Sequence, residues 1–410
     1  MQPGAPLPPL FTRAFVLAAA AHFFHALSFS LYLHLPGFLH AIGADEMRIG
    51  VIVGTMGFTA IAARPLLGRA MDLHGRRIVI LVGGFLHVFI CVAYLSVRHM
   101  GPWVYFVRVV HGLAEAMLFA AMFALAADVV PASRRIQGIA LFGVSGMLPM
   151  SISGPLGDII LSLSASAGAV APSAPYARLF QVAACFAATG LALSLPLPDT
   201  RAAADASDAP RRRFRDAVLQ RDLVPLWGTG LCFATAIAAY FTFMKTYVQT
   251  TGVGSVGLFF SAYSGAAVLL RIVCGRLPDR LGPRAVLFPA LGSLALGLLL
   301  LARARGSAEV GVAGVLCGLG HGFTFPILLS YVVQRARPSE RGAALAVYTS
   351  LFDAGTLVGG PMLGAIVSAF GYPAMFRAAA GLVMLGVVGF VVAEHRLQRG
   401  VLGADNARVQ

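Results

Sequence analysis

Twelve apolar stretches, each long enough to cross a lipid bilayer, dominate this chain of 410 residues. A membrane-spanning helix needs about 20 mainly apolar residues. The chain is 58% hydrophobic and only 12% charged, about half the charged fraction of a soluble domain. A water-soluble fold of this size could not bury so much apolar surface, so the sequence predicts an all-α, multi-pass membrane protein. The qualifying windows are 14–40, 48–70, 77–97, 101–129, 136–163, 176–195, 223–249, 254–274, 285–303, 308–333, 341–369 and 372–394.

Arginine placement predicts which ends of these spans face the cytoplasm. With the N-terminus inside, the cytoplasmic segments hold 21 arginines and the outer loops hold five, with Arg377 near an outer helix end. Such a bias is typical of bacterial inner-membrane proteins, whose cytoplasmic loops are enriched in Lys and Arg. We therefore expect both termini in the cytoplasm. The net charge of +14 comes from short clusters between apolar runs, which favours topology over a nucleic-acid partner.

The segment between the sixth and seventh windows reads "PLPDTRAAADASDAPRRRFRDAVLQRD" and is rich in Pro, Ala and Arg. This composition is typical of a linker. We predict an N-terminal six-helix bundle at 1–195, a cytoplasmic linker at 196–222, a C-terminal bundle at 223–395 and a cytoplasmic tail at 396–410. The first apolar run is too long for a signal-peptide core, so we expect it to be retained.

An internal repeat links the two halves. The stretch "RPLLGRAMDLHGRR" at Arg64–Arg77 returns as "RIVCGRLPDRLGPR" at Arg271–Arg284, an offset of 207 residues. The same offset relates "PASRR" at Pro131–Arg135 to "PSERG" at Pro338–Gly342. Two homologous six-helix halves are typical of transporters, whose substrate site lies between the halves near the bilayer midplane.

With these motifs, the chain resembles a twelve-helix member of the major facilitator superfamily, in its drug/metabolite:proton antiporter branch. Both repeated loops are similar to the family motif G-x-x-x-D-R-x-G-R-R, although Leu73 and Pro283 depart from it. The resemblance implies two pseudo-symmetric six-helix bundles, alternating access and no enzymatic activity. It assigns gating roles to Gly68, Asp72, Gly75, Arg76, Arg77 and Asp128 in the first half, and to Gly275, Asp279, Arg280, Gly282 and Arg284 in the second.

The resemblance also implies partners for these gating residues. Asp72 and Asp279 would each cap the positive N-terminal end of a helix in the opposite half. The arginines that follow can pair with Asp128 at the end of the fourth span. In the second half that position holds Gln334, so we expect a weaker charge relay there.

Ionisable side chains inside the spans are costly and usually functional. Arg108, His111 and Glu115 lie in "YFVRVVHGLAEA", and at 100° per residue Arg108 and Glu115 fall within about 20° of one another. Arg108 and Gly112 match the RxxxG motif of proton-driven exporters of the family, with His111 in place of the usual Gln. We predict that these side chains face the proton pathway.

Several other side chains are candidates for the substrate or proton pathway. Lys245, the chain's one lysine, either enters the cavity as a cation or extends to the outer interface. Asp353 near the middle of the eleventh span is a better coupling candidate than Asp158 in the fifth. His22 and His25 are i,i+3 neighbours, but two histidines without a third ligand do not make a convincing metal site. The remaining candidates are Tyr32 and Tyr240.

Together these features predict a monomeric secondary transporter that works by alternating access, most simply a proton-coupled exporter of a small organic molecule. The glycine-rich stretches "SGPLGD" and "GTLVGGPMLG" resemble a motif of family exporters. The alternatives are uptake of an organic anion or metal chelate and a non-transporting membrane sensor. We expect no cofactor, and partners limited to lipid, a small-molecule substrate and protons.

The arginine count makes topology the first testable prediction. An epitope tag placed in the 200–220 linker should be cytoplasmic, and one at 98–101 should be external, because the positive-inside bias orients the spans. Protease accessibility in intact cells measures both. A linker tag cleaved from outside would contradict the twelve-span assignment.

Overall fold

The computed structural model describes residues 9–131, 134–166, 172–200, 220, 222–274, 277–337 and 341–409. Over these ranges the regular structure is helical. The helices are α1 (Arg13–Leu31), α2 (Leu35–Ala41), α3 (Glu46–His74), α4 (Arg76–Ala93), α5 (Pro102–Val129), α6 (Arg135–Ser166), α7 (Ala174–Ser194), α8 (Val224–Thr251), α9 (Val256–Cys274), α10 (Leu277–Leu281), α11 (Pro283–Leu301), α12 (Ser307–Arg335) and α13 (Arg341–Val409).

The predicted all-helical membrane fold is confirmed. Eleven helical segments of the described chain are long and apolar enough to span a bilayer, and one of them, Ala344–Arg396, has 53 residues. A straight helix of that length would measure about 80 Å, far more than the roughly 30 Å of a bilayer core. Gly371, with φ +79°, interrupts it. The break falls between the predicted windows 341–369 and 372–394, so the segment supplies two spans.

The first span is not a continuous α-helix. α1 ends at Leu31, a 3₁₀ turn covers Tyr32–His34, and α2 follows with Pro36 in its first turn. Proline has no N–H to donate to the preceding turn and is tolerated best at a helix start. The sequence pattern did not predict this break, which turns the side chain of His34 into the protein interior.

The internal repeat is visible in the backbone. Gly75 and Gly282, which are 207 residues apart, have φ of +85° and +87° and precede α4 and α11. Glycine adopts positive φ without steric cost. The two loops therefore use the same turn, which explains a motif glycine at both places.

The described chain groups into two compact units. Unit 1 comprises residues 1–44, 58–206 and 255–264; unit 2 comprises 45–57, 207–254 and 265–410. The first part of α3 thus packs with unit 2, and the first part of α9 packs with unit 1. The predicted bundle boundaries at 195 and 223 stay a prediction, and most of the predicted linker lies outside the described residues.

Each unit is organised by close helix contacts. In unit 1, α1 packs on α5 and α6 through a core that includes Phe15, Leu118 and Phe142. In unit 2, glycines of α3 meet α13 backbone to backbone, and a β-carbon added at Gly50 would lie 2.1 Å from the carbonyl oxygen of Gly360. Small residues allow such close approach between membrane helices.

This contact generates a prediction for helix packing. Gly50→Ala should destabilise the protein by about 1–3 kcal/mol, because the new methyl group overpacks a contact between two backbones. The matched control is Gly68→Ala in the same helix, where an added β-carbon meets no atom within 4 Å. Thermal unfolding in lipid nanodiscs measures both. Equal midpoints for the two variants would contradict the packing assignment.

Candidate functional site

Stacked aromatic rings connect two polar groups inside unit 1. Phe29 of α1 stacks on His87 of α4 at a centroid distance of 3.8 Å and on His111 of α5 at 5.1 Å, and the two histidine rings lie 5.9 Å from one another. His25 Nδ1 lies 3.2 Å from His87 Nδ1. We call His25, His87, Phe29 and His111 the histidine row. The three histidine side chains are buried, with at most 1% exposure.

Neighbouring groups define the hydrogen positions at the His87 end of the row. The Ser28 hydroxyl donates to the Ala183 carbonyl at 2.8 Å, so its oxygen accepts the Nε2–H of His87 at 3.1 Å. A neutral His87 then accepts at Nδ1, and His25 donates there from its own Nδ1. His25 Nε2 is left buried without a hydrogen-bond partner among the described atoms.

Glycines make room for His25. An added β-carbon at Gly190 of α7 would lie 2.8 Å from its ring, and one at Gly84 of α4 would lie 3.4 Å from it. The ring is therefore held between two helix backbones.

The other end of the row carries a buried cation. Arg108 is 5% exposed, and its Nη1 lies 3.4 Å from His111 Nδ1. The Tyr94 hydroxyl lies 3.3 Å from the same nitrogen. An arginine N–H can only donate, so Nδ1 accepts and a neutral His111 carries its hydrogen on Nε2. Glu115 lies two turns further along α5 and is half-buried.

The predicted residue Tyr32 belongs to this cluster. It packs edge-on against His111 at 4.4 Å and stacks on Phe180 at 5.7 Å. Sequence reasoning missed His87 and Tyr94. The available signal was a lone histidine in the apolar run "VGGFLHVFICVA", but periodicity did not show which neighbours it would face.

His22 belongs to a different cluster from His25. Its Nδ1 lies 2.8 Å from the Ser145 hydroxyl of α6, and its ring stacks on Phe142 at 4.7 Å. The two histidines have different partners, so their i,i+3 spacing does not produce a shared ligand position. No group of three or more potential metal-binding side chains occurs within the ranges that the structure describes.

The first loop motif forms an ionic cluster around Arg76. This side chain lies 3.6 Å from the Asp72 carboxylate and 3.3 Å from that of Asp128. The predicted pairing of a motif arginine with Asp128 is confirmed. Thr200 also donates to Asp128 at 2.7 Å, and Arg77 donates to the Leu195 carbonyl. The cluster thus joins the ends of α3, α4 and α5 to the chain that follows α7.

The acid of the second relay comes from an unexpected element. Glu394 pairs with both Arg284 and Arg335, and its side chain is 10% exposed. The expectation of a weaker second relay assumed that the acid must lie at the end of the tenth span, where Gln334 instead donates to Ser330. The last span supplies the acid instead. Gly275 and the side chain of Asp279 lie outside the described residues. Gly282 forms the turn described above, and Arg280 is exposed in α10.

The candidate residues of unit 2 lie in α8 and α13. Tyr240 is fully buried, Lys245 is 8% exposed and Asp353 is half-buried. Burial of Lys245 favours the enclosed cation over a side chain extended to the outer interface.

Two variants in the cluster around Arg76 distinguish a role in stability from a role in gating. Asp128→Asn should lower stability by about 1–3 kcal/mol, because it removes the carboxylate charge that pairs with a buried guanidinium. Asp72→Asn should change stability less, since Asp72 is 69% exposed, yet it should lower turnover if this carboxylate gates transport. Thermal unfolding and a transport assay on both variants measure these effects. A larger loss of stability in Asp72→Asn would reverse the assignment.

Comparison with known proteins places this geometry in a family. The sequence matches the Major Facilitator Superfamily over residues 17–302 and 226–408. It is 28% identical over 368 residues to the uncharacterized MFS-type transporter YhhS of Salmonella paratyphi C, covering 86% of this chain and 85% of the relative. Another uncharacterized MFS-type transporter, STM4428 of Salmonella typhimurium, is 27% identical over 365 residues, covering 86% of this chain and 89% of the relative.

Solved structures share the fold at low sequence identity. The nucleoside transporter NupG superposes with a TM-score of 0.70 at 12% identity, covering 93% of this chain and 99% of NupG. The human organic anion transporter MFSD10 gives 0.68 at 19%, covering 94% and 100%. A POT family transporter in complex with a thioalcohol-conjugated peptide gives 0.74 at 14%, covering 94% and 96%. The chain therefore belongs to the Major Facilitator Superfamily and is a multi-pass membrane transporter, not an enzyme.

Proposed function

We propose that the protein is a proton-coupled secondary transporter that exports a small, partly apolar organic molecule across a bacterial inner membrane, with both termini in the cytoplasm. The observation that carries this proposal is the buried arrangement of Arg108, His111 and Tyr94, with the half-buried Glu115 on the same helix two turns from Arg108. Charged groups at membrane depth are expensive and are retained where they move ions or bind substrate.

Proton coupling needs an acid that binds a proton in one facing state and releases it in the other. Glu115 lies on the same face of α5 as Arg108, two turns away. A small change in the separation of a carboxylate and a guanidinium changes the preference for the ionised acid. A helix that carries both groups can therefore couple its movement to proton binding.

The rings near Arg108 support a partly apolar substrate. Phe29 belongs to the histidine row, Tyr32 packs on His111, and Phe180 stacks on Tyr32 at 5.7 Å and on Tyr94 at 5.0 Å. Ligand sites are usually lined by aromatic and apolar groups, with a few polar groups that fix orientation. The names of the structural neighbours cover nucleosides, organic anions and peptides, so they leave the substrate class open.

The glycine-rich stretch whose motif suggests export packs closely against α8 in unit 2. Gly355 and Gly359 of α13 approach Ala234 and Ala238 of α8, and an added β-carbon would lie 2.4 Å and 3.0 Å from these side chains. The glycines thus have the close-packing role that small residues have in membrane helices.

One observation favours uptake of an organic anion as the second candidate. Two cations, Arg108 and Lys245, are buried at 5% and 8% exposure. Buried cations are suited to binding a carboxylate or phosphate of a substrate.

Glu115→Gln tests the coupling. The variant should lose at least about 90% of transport driven by a pH gradient, because an amide cannot carry the proton, while substrate binding stays measurable. Arg108→Ala should impair both transport and binding. Transport is measured in everted membrane vesicles, as the recovery of a pH-sensitive dye when a substrate from a panel of organic molecules is added. Binding is measured as the thermal shift of the purified protein with the same molecules.

Asp353→Asn is the matched comparison, since it removes the acid of α13 and leaves α5 intact. Full gradient-driven transport in Glu115→Gln combined with its loss in Asp353→Asn would transfer the proton site to α13. Full activity in both variants would indicate a uniporter.

A further inference from the structure

α6 and the beginning of α9 are in contact within unit 1. Glycines at this contact let the two helix backbones approach closely. A β-carbon added at Gly257 would lie 2.7 Å from Pro155 Cα, and one added at Gly154 would lie 3.1 Å from Gly257 Cα. The two backbones therefore touch. The topology proposed above places this end of both helices outside the cell.

Uncharged hydroxyls continue the contact along the two helices. The Ser151 and Ser264 hydroxyls are hydrogen bonded to one another, and Ser261 donates to the Ser151 carbonyl at 2.8 Å. Ser264 has no exposed surface. A reagent reaches position 264 only when α9 separates from α6.

Asp158 is hydrogen bonded to the backbone at the beginning of α9. The Gly257 N–H donates to Asp158 Oδ2 at 2.7 Å. It is one of the first N–H groups of a helix, which have no partner within the helix. An ionised carboxylate is favoured at this positive end of the helix, and a protonated one is favoured much less.

His34 approaches the same carboxylate from the 3₁₀ turn after α1. Its Nε2 lies 3.2 Å from the Gly154 carbonyl, which can only accept, so Nε2 donates. A neutral His34 then presents an acceptor at Nδ1, which lies 3.8 Å from Asp158 Oδ1. Two acceptors that face one another are stabilised by one proton between them. Gly157 leaves room for the ring, since an added β-carbon would lie 2.2 Å from Nε2.

We propose that His34 and Asp158 form a proton-binding pair that holds α9 against α6. With one proton on the pair, the imidazolium and the carboxylate attract one another and the Gly257 N–H bond is charge-assisted. A second proton neutralises Asp158 and weakens the bond to α9. Acidification on this side therefore loosens the contact.

Groups from three other parts of unit 1 lie near His34 and Asp158 or along the contact that they hold. His34 comes from the turn after α1, the backbone N–H of Gly257 comes from α9, and the hydroxyls along the contact carry no charge. From α7, Tyr176 packs on Phe38 and Arg178 is exposed.

The link to proton coupling rests on the proposed function, but the contact itself is tested without substrate. The parent variant carries Ser264→Cys in a background in which the native cysteines are replaced by serine. Those residues are Cys91, Cys185, Cys232, Cys274 and Cys317. The probe is N-ethylmaleimide, and the measurement is the labelling rate in lipid nanodiscs from about pH 4 to about pH 8, which covers the ordinary titration ranges of aspartate and histidine side chains.

Adding Asp158→Asn should raise the labelling rate near pH 7 about fivefold, the usual effect of one charge at a helix terminus. The ratio of the two rates should fall toward one as the pH is lowered, because the second proton on the pair would also remove the charge at the helix terminus of the parent. The ratio cancels the titration of the thiol itself. His34→Gln, which can still donate to Gly154, should move this pH dependence. A ratio of one near pH 7, or a ratio that does not change with pH, would overturn the proposal.

Glu46→Gln is the matched control. Glu46 accepts hydrogen bonds from Tyr372 and Thr246 in unit 2 and should leave labelling at position 264 unchanged. A second control restores Cys317 as the one thiol, because this buried residue of α12 reports loss of the fold. If Asp158→Asn does not fold, the parent and the Cys317 control are compared across the same pH range, and equal pH profiles would overturn the proposal.

Transport and labelling can fail separately. Gradient-driven transport that survives Glu115→Gln would remove the proposed coupling site and leave the pair standing. An unchanged labelling rate in Asp158→Asn, with transport abolished in Glu115→Gln, would do the reverse.

Discussion

The hydrocarbon of the bilayer imposes the constraint on which the rest of this structure depends. Backbone N–H and C=O groups find no water there, so each span must satisfy its own hydrogen bonds as a helix. Apolar side chains gain little by leaving lipid for protein, and close packing and polar contacts hold the helices together instead. Backbone approach at Gly50 and Gly360, and at Gly154 and Gly257, is the direct consequence.

The same constraint explains why buried polar groups among the described residues of unit 1 are hydrogen bonded to one another. Ser28, His87 and His25 form one chain of hydrogen bonds, and Arg108, His111 and Tyr94 form a second. Phe29 stacks on one histidine of each chain, His87 and His111. Polar groups in a low-dielectric interior are stable when they bond to one another. A hydrogen-bonded group of side chains with defined tautomers is suited to moving a proton. The proposed function is therefore based on this group.

The two halves share the turn glycines of the repeat, but they use different acids as partners of the motif arginines. Gly75 and Gly282 make the same turn at the same offset. The acids that pair with the motif arginines differ, since Asp128 lies at the end of α5 whereas Glu394 lies in the last span. Repetition therefore maintains a turn, while the ionic partner can come from any helix that ends nearby.

Much of this protein follows from the sequence alone. Length and apolarity set the twelve spans, because a bilayer fixes how many apolar residues a helix must supply. The 207-residue repeat and its motifs indicated the family, and the resemblance to that family was enough to expect a motif arginine to pair with Asp128. Tertiary structure decided the rest. The break at Tyr32–His34 brings His34 to Asp158, and the packing of α1 on α4 joins His25 to His87. These pairs join residues 62 to 124 positions apart, and helical periodicity defines the face of each helix but not the helix that this face meets.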